Sequence, residues 1–229
     1  MIIMYNCSYF SKMATFITAL ICLHKQKKYD LPLDVCNKIA SYLNPIEAIR
    51  CGIWNICVLI SIDEIRKQNY MIEAIQHGHL EIVKLFNRNG IILTENYLQI
   101  AIRHGQLPII KWIHNKGILL TDQLLCISVF NNYIEIAKYI HDEGVQYTNT
   151  ILSLSIIQGH FSMAKMIHNE GIPLSDANMR AAIYTDNLEI TQWLYTNGIQ
   201  IPRILLELTK QGGYFNISNW VESQQIQTI

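Results

Sequence analysis

The feature that most constrains the fold of this chain is a strict period of 27 residues. Glycines recur at this spacing at Gly90, Gly117, Gly144, Gly171 and Gly198. A second column keeps the same spacing and reads Gly78, Gly105, Asn132, Gly159, Asp186 and Gly213. A fixed period of roughly 20–50 residues is typical of structural repeats that stack into a solenoid.

Each repeat is predicted to begin with a short helix, as the unit after Gly90 illustrates. Thr94 can cap a helix over Glu95 to His104, because its hydroxyl can accept a hydrogen bond from an unpaired backbone N–H. Equivalent capping positions are occupied by Thr121, Thr148 and Ser175, and then by Pro202. One apolar stripe follows at positions i, i+3 and i+4, formed by Leu98, Ala101 and Ile102.

A second helix is predicted over Leu107 to Asn115, and it ends before Gly117, which can adopt the left-handed conformation. Its predicted apolar stripe comprises Ile109, Trp112 and Ile113. Neither helix can bury its stripe alone, whereas stacked pairs form one continuous core. The sequence therefore predicts an all-α fold, a solenoid of helix pairs preceded by a small helical N-terminal region.

Residues 74–90, which read AIQHGHLEIVKLFNRNG, resemble the helical part of an ankyrin repeat, whose pattern is AAxxGHLEIVKxLxxxG. The resemblance covers about residues 69–222 and implies six ankyrin-like repeats over 69–223, with a tail at 224–229. Ankyrin units run about 33 residues and carry a T-P-L-H turn. The missing residues fall between Gly90 and Ala101, where the projecting hairpin of the family would lie. The resemblance implies a protein-binding scaffold that uses a helical face.

Short units of this kind resemble those of large DNA viruses and of some microbial eukaryotes. That resemblance implies a cytoplasmic protein and, if it is viral, one that acts in host–virus interaction in the host cytoplasm. Cysteine usage agrees with a reducing compartment, because the six cysteines form no CxxC pair and no disulfide framework.

The segment 30–68, upstream of the repeats, resembles the start of an F-box, whose pattern is LPxxVxxxIxxYLxPxxxxR. The matching residues are Leu31, Pro32, Val35, Ile39, Leu43, Pro45 and Arg50. In that family this helical hairpin binds the adaptor subunit of a cullin-type ubiquitin ligase. The resemblance therefore implies that residues 31–50 recruit a ligase while the repeats hold its substrate.

The same segment has a second interpretation. Residues 48–52, AIRCG, copy AIRHG at 101–105 and lie 26 residues before the equivalent positions 74–78. Residues 46–68 would then form a degenerate leading repeat, with Val35 and Leu43 in an N-terminal capping helix. From the sequence alone, both interpretations stay open.

The segment 1–29 contains an apolar run at residues 14–23, followed by HKQKK. A membrane-spanning helix needs about 20 apolar residues, and a signal peptide carries its positive charge before the apolar run. We therefore expect a buried or capping helix. A membrane anchor is the alternative, and a later start at Met4 or Met13 is a third.

Several function classes are not expected. Lys plus Arg equals Asp plus Glu at 18 each, and no basic tail supports nucleic-acid binding. No phosphate loop, nucleophile elbow, HExxH motif or paired carboxylates indicate an enzyme or a cofactor. His114, His141 and His168 recur near the negative end of the second helix, which explains them without a metal. Core packing is expected of Trp112, Trp193 and Trp220.

A partner site is expected where the repeats vary on the outer side of the first helix. One variable column reads Gln99, Cys126, Ser153 and Arg180, and the other reads Gln76, Arg103, Phe130, Ile157, Tyr184 and Gln211. The columns are four residues apart and share a face. Three successive apolar or aromatic residues predict a binding patch, unless the neighbouring unit buries them.

The predicted partner-binding residues of the repeats are Gln99, Arg103, Cys126, Phe130, Ile157, Arg180 and Tyr184. The leading hypothesis is a monomeric adaptor that recruits a ubiquitin ligase. The alternative is a scaffold or inhibitor that binds a protein partner without ligase recruitment.

Overall fold

The computed structural model describes residues 45–50, 69–204, 207 and 215–223. The chain divides into two compact units, Met1–Ile118 and Leu119–Ile229. Regular structure in the described residues is entirely helical, which confirms the all-α prediction. No helix in this described part is both long and apolar enough to cross a membrane. The apolar run at 14–23 and Leu31, Pro32, Val35, Ile39 and Leu43 lie outside it.

The described residues of the first unit form one leading helix and two helix pairs. Its helices are α1 (Pro45–Arg50), α2 (Tyr70–Gln76), α3 (Leu80–Arg88), α4 (Glu95–Arg103) and α5 (Leu107–His114). Helix α2 contacts both α1 and α4, and α3 contacts α5, so first helices line up with first helices.

The second unit repeats this arrangement. Its helices are α6 (Asp122–Phe130), α7 (Ile134–Asp142), α8 (Asn149–Ile157), α9 (Phe161–Asn169), α10 (Asp176–Tyr184), α11 (Leu188–Thr196) and α12 (Phe215–Ser223). The first helices α6, α8 and α10 contact one another in sequence, and α11 contacts α12.

The core follows the predicted stripes on the first helices. Leu98, Ala101 and Ile102 are buried, and the same three register positions are buried in every described pair. In α6 and α8 the alanine is replaced by Ser128 and Ser155, whose hydroxyls donate to the carbonyls three residues earlier at 2.7 Å. The buried hydroxyls are therefore satisfied locally and do not disturb the stack.

The tryptophan column does not belong to the core, so that prediction was wrong. Trp112, Trp193 and Trp220 are only half-buried. In α5 the buried residues are Ile109, Ile110 and Ile113, which leaves Trp112 at the edge of the stripe. The indole of Trp193 instead meets the ring of Phe161 edge-on at 5.6 Å, along the surface of the second helices.

Left-handed residues separate the helices as the glycine columns predicted. Gly117 has φ 94° and Gly105 has φ 70°. Asn132 and Asp186 occupy the register position of Gly105, with φ 59° and 48° respectively. Asn and Asp are the residues besides glycine that enter this region most readily, which explains why the period survives these substitutions.

The capping prediction holds for some units only. Thr121 Oγ1 accepts from the N–H of Leu124 at 3.4 Å, and Thr148 Oγ1 accepts from the N–H of Ile151 at 3.3 Å. Thr94 makes no side-chain capping bond, so the prediction was wrong there. At Ser175 the backbone N–H donates to Asn178 Oδ1 at 2.9 Å. Helices α4 and α5 each end one residue earlier than predicted.

Candidate functional site

The outer side of the first helices in the second unit carries three large apolar side chains. Phe130 is 54% exposed, Ile157 is 49% exposed and Tyr184 is 61% exposed. Each is the last residue of its helix, on α6, α8 and α10 respectively. The neighbouring repeat therefore does not bury them, and they form an exposed row across three consecutive first helices.

A second set of apolar residues lies one turn before this row and was missed by the sequence analysis. Ile127, Leu154 and Ala181 are each three residues before a member of the row and are half-buried. Residues at i and i+3 share a helix face. We call these six residues the apolar patch: Ile127, Phe130, Leu154, Ile157, Ala181 and Tyr184. The sequence could have indicated this set, because α6 and α8 carry apolar residues on their outer faces as well as on their inner ones. A helix that is apolar on both faces is expected to be covered on both.

The other predicted binding residues are divided between the two units. Gln99 and Arg103 lie on α4 of the first unit, where Gln99 is half-buried and Arg103 is exposed. Cys126 on α6 is half-buried, and burial, followed by the charge of Asp122, raises the pKa of its thiol. Arg180 on α10 is exposed and lies one turn before Tyr184. The structure thus groups Phe130, Ile157, Tyr184 and Arg180 on one helical layer.

Arg180 forms no ion pair with the residues that the structure describes. Its guanidinium has no hydrogen bond or ion pair with any residue of the described ranges. The equivalent positions on α6 and α8 are Cys126 and Ser153, which are uncharged. The patch therefore carries its positive charge at the α10 end.

The end of α6 that bears Phe130 is held by the next repeat. The Nε2–H of His160 donates to the backbone carbonyl of Phe130 at 3.0 Å. In the first unit Gln106 Nε2 donates to the carbonyl of Gln76 at 3.0 Å in the same register. These bonds secure the C-terminal ends of the first helices, where the outer side chains project.

The corresponding surface of the first unit has Gln76 and Arg103 at the row position and Glu73 and Ile100 one turn earlier, and an ion pair closes part of it. Arg50 Nε lies 2.9 Å from Glu73 Oε2, and a second bond joins Arg50 Nη2 to Glu73 Oε1 at 3.3 Å. The hydrogen bonds from Arg50 hold the pKa of the Glu73 carboxyl below its usual value. This pairing ties α1 to α2.

Helix α1 contains Pro45, a residue predicted to bind a ligase adaptor, and packs as a first helix does. Ile49 is fully buried, 26 residues before the buried Ile75. The Nε2–H of His79 donates to the carbonyl of Arg50 at 2.6 Å. This is the register in which Gln106 and His160 bond to the preceding first helices.

The histidine column closes the turns after α5, α7 and α9. Nδ1 of His114, His141 and His168 lies 2.9, 3.0 and 2.8 Å from the carbonyl oxygen four residues later. A carbonyl only accepts, so the proton is on Nδ1. Asn87 makes the equivalent bond to Ile91 at 2.9 Å. Within the described ranges, no group of three or more His, Cys, Asp or Glu side chains is arranged to hold a metal.

Comparison with known proteins gives a likeness of fold. No protein-family model matches the sequence, and the curated proteins give no match. Among solved structures, the ankyrin repeat domain of human ASB11 is similar, with a TM-score of 0.53 and 16% sequence identity. The likeness covers 70% of this chain and 86% of that domain. The protein therefore has an ankyrin-repeat-like fold.

Proposed function

We propose that this protein is a non-enzymatic interaction scaffold that binds a protein partner through the apolar patch of its second unit. The ankyrin-repeat-like fold supports the general class, since stacked repeats typically present an extended surface to partner proteins. The observation that carries the proposal is the exposed row of Phe130, Ile157 and Tyr184 at one register position.

Burial of this row is a sufficient source of affinity. Complete burial of a Phe, Ile or similar side chain is worth roughly 1.5–3 kcal/mol. About half of each side chain remains accessible, so covering it contributes on the order of 1 kcal/mol per residue. Large apolar side chains grouped in this way are typical of the central residues of an interface.

Affinity purification of the full chain followed by mass spectrometry tests this proposal. The test variant combines Phe130→Gln with Ile157→Gln, and the control is Leu119→Gln, an equally drastic change at a residue that is 75% exposed outside the patch. We expect a specific set of proteins to be lost from the patch variant and retained by the control. Circular dichroism establishes that both variants stay folded. Identical protein sets would exclude the patch as the binding surface.

Two forms of this function differ in the role of residues 31–50. In the first, they act as an F-box-like segment that recruits a cullin-type ubiquitin ligase in the cytoplasm, as the sequence resemblance implies. In the second, the protein binds or masks its partner without a ligase. The repeat-like packing of Ile49 and Arg50 supports the second form for α1. The virus-like unit length supports a host protein as the partner in either form.

A pull-down probed for the cullin adaptor separates these forms. Ligase recruitment requires that the adaptor copurifies with the chain and is lost when Leu31→Ala is combined with Pro32→Ala. If the adaptor is absent while patch-dependent partners remain, the protein acts without the ligase. That result would support the proposal of a binding scaffold and exclude ligase recruitment.

A further inference from the structure

We infer that the apolar patch accepts an amphipathic α-helix that carries an acidic residue at the end facing α10. This inference rests on the proposed function, because it names the class of partner for the same face. It is supported by the spacing of the row, the backbone chemistry of the surface and the position of Arg180.

The spacing of the row suits large side chains on successive turns of a helix. Helices in contact lie roughly 8–10 Å apart, so neighbouring members of the row, Phe130 and Ile157 or Ile157 and Tyr184, are about that distance apart across α6, α8 and α10. A helix rises about 1.5 Å per residue, and seven residues therefore span about 10 Å. Anchors at positions i, i+7 and i+14 of a partner helix match the three members of the row.

The backbone of this face selects a helix over an extended strand. A strand gains affinity mainly by bonding to an open sheet edge, and no strand exists in the described ranges. The surface consists of helices, and the carbonyl at the end of α6 already accepts from His160. An extended peptide would leave its backbone N–H and C=O groups without partners under the interface. A helix satisfies those groups internally.

The charge of the patch sets the orientation of the partner. Arg180 forms no ion pair with the described residues, and it lies one turn before Tyr184 at the α10 end of the row. Asp176, one turn earlier on the same helix, does not form an ion pair with it. Cys126 and Ser153 give no charge at the other two positions. A carboxylate of the partner helix beside the anchor that contacts Tyr184 would pair with Arg180. A carboxylate beside the anchor that contacts Phe130 would not.

Selection from two displayed libraries tests this inference, with the full chain as the immobilised target. One library randomises the surface of a 16-residue helix within a stable helical miniprotein, and the other presents unstructured 16-residue peptides. We expect binders from the helical library, with large apolar residues about seven positions apart and Glu or Asp near one end. Binding constants are then measured for purified binders against the wild type and single variants.

We expect Ile157→Gln to weaken these binders at least tenfold and Leu119→Gln to leave them unchanged. Arg180→Glu should weaken acidic binders about tenfold, and a Glu→Lys change in the binder should restore the affinity for that variant. Such a reciprocal rescue reports a direct pairing and not a loss of folding.

The contrary outcomes separate this inference from the proposed function. Patch-dependent binders that come only from the unstructured library, or that ignore Arg180→Glu, would overturn the helical, acidic partner and leave the binding face standing. Binders that are all insensitive to Ile157→Gln would overturn both. Patch-dependent sedimentation with phosphatidylcholine vesicles would assign the face to a membrane surface and would also overturn both.

Discussion

The first helices of the two units have the same kind of inner face and differ in their outer faces. On α4 the inner residues Leu98, Ala101 and Ile102 are buried, and the outer positions hold Gln99 and Arg103. On α8 the inner residues are buried in the same register, but the end of the outer side is Ile157, about half exposed. Helix α6 similarly ends in the exposed Phe130 and α10 in Tyr184.

This difference shows that the repeat specifies a scaffold and leaves the outer positions open to other demands. Stacking requires only the inner stripe, the left-handed residues and the turn-closing bonds, and both units supply them. The outer side of the first unit is polar except for Ile100 and is tied to α1 by the Arg50–Glu73 pair. The exposed halves of Phe130, Ile157 and Tyr184 add nothing to the stability of the second unit, which is why we propose a partner for them.

The largest expected effect is a difference in the free energy of unfolding between substitutions at two adjacent residues of α8. Ile156 is fully buried and Ile157 is about half exposed. Ile156→Ala should lower the free energy of unfolding by about 2–5 kcal/mol, because it opens a cavity in the core. Ile157→Ala should change it by about 0.5 kcal/mol or less. Urea denaturation followed by circular dichroism measures both. Equal losses would mean that Ile157 belongs to the core and that the two units do not differ as described.

The bonds between consecutive repeats should matter equally in the two units. His160→Ala and Gln106→Ala each remove a hydrogen bond to the carbonyl of the last residue of the first helix in the preceding repeat. We expect each to lower the free energy of unfolding by about 1 kcal/mol. His160→Gln is the matched control, since Gln106 already makes this bond with its amide. A large loss for His160→Gln in thermal unfolding would show that the histidine has a further role.

A buried hydroxyl in the second unit offers a stabilising change. Tyr147 occupies a register position held by Leu93 in the first unit, and its hydroxyl is buried without a hydrogen-bond partner in the described residues. Tyr147→Phe should raise the free energy of unfolding by about 1 kcal/mol, because it removes an unsatisfied polar group.

The pH dependence of that variant checks the same point. Burial, followed by the charges of Glu170 and Asp142, raises the pKa of Tyr147 well above its ordinary value near 10. Below that ordinary value the hydroxyl is protonated in both states and the effect is constant. Above it the unfolded chain ionises first, so the wild type loses stability that Tyr147→Phe retains. Urea denaturation at pH 7 and at about pH 10.5 compares them. A stability gap that does not widen would place the hydroxyl in contact with water.

The smallest effect concerns the ion pair of the first unit. Glu73→Gln should lower the free energy of unfolding by about 0.5 kcal/mol at pH 7, since the Arg50 side chain is half-exposed to solvent. The folded pKa of Glu73 is depressed, so its contribution is present above the unfolded pKa and disappears as the pH falls through the folded value. The two proteins should therefore converge at acid pH.

Glu135→Gln in the second unit is the control for this pair, because Glu135 lies 3.8 Å from Lys138 on an exposed surface. It should have no measurable effect at any pH. A pH-independent loss for Glu73→Gln would indicate that the variant disturbs the packing of α2 and does not report the ion pair.

The period and the inner face could be predicted from the sequence. Spacing alone located the helix pairs, the buried stripe of Leu98, Ala101 and Ile102, and the left-handed positions at Gly105 and Gly117. These are local properties, because helix periodicity and the absence of a Cβ act within a few residues. Variation at one register position likewise singled out Phe130, Ile157 and Tyr184 as candidates, but it left open whether the neighbouring unit buries them.

The tertiary structure decided how each outer position is covered. Ile127 and Leu154 are of residue types that are typical of a core, and only the packing of the neighbouring helices shows that they are half-buried beside the row. Trp112 was placed in the core by its spacing, yet the packing of α5 buries Ile110 and leaves the indole at the surface. Likewise, no pattern revealed that Glu73 pairs with Arg50, whereas Arg180 forms no ion pair with any residue of the described ranges. Exposure and pairing depend on residues distant in the chain, so they are determined only when the repeats are stacked.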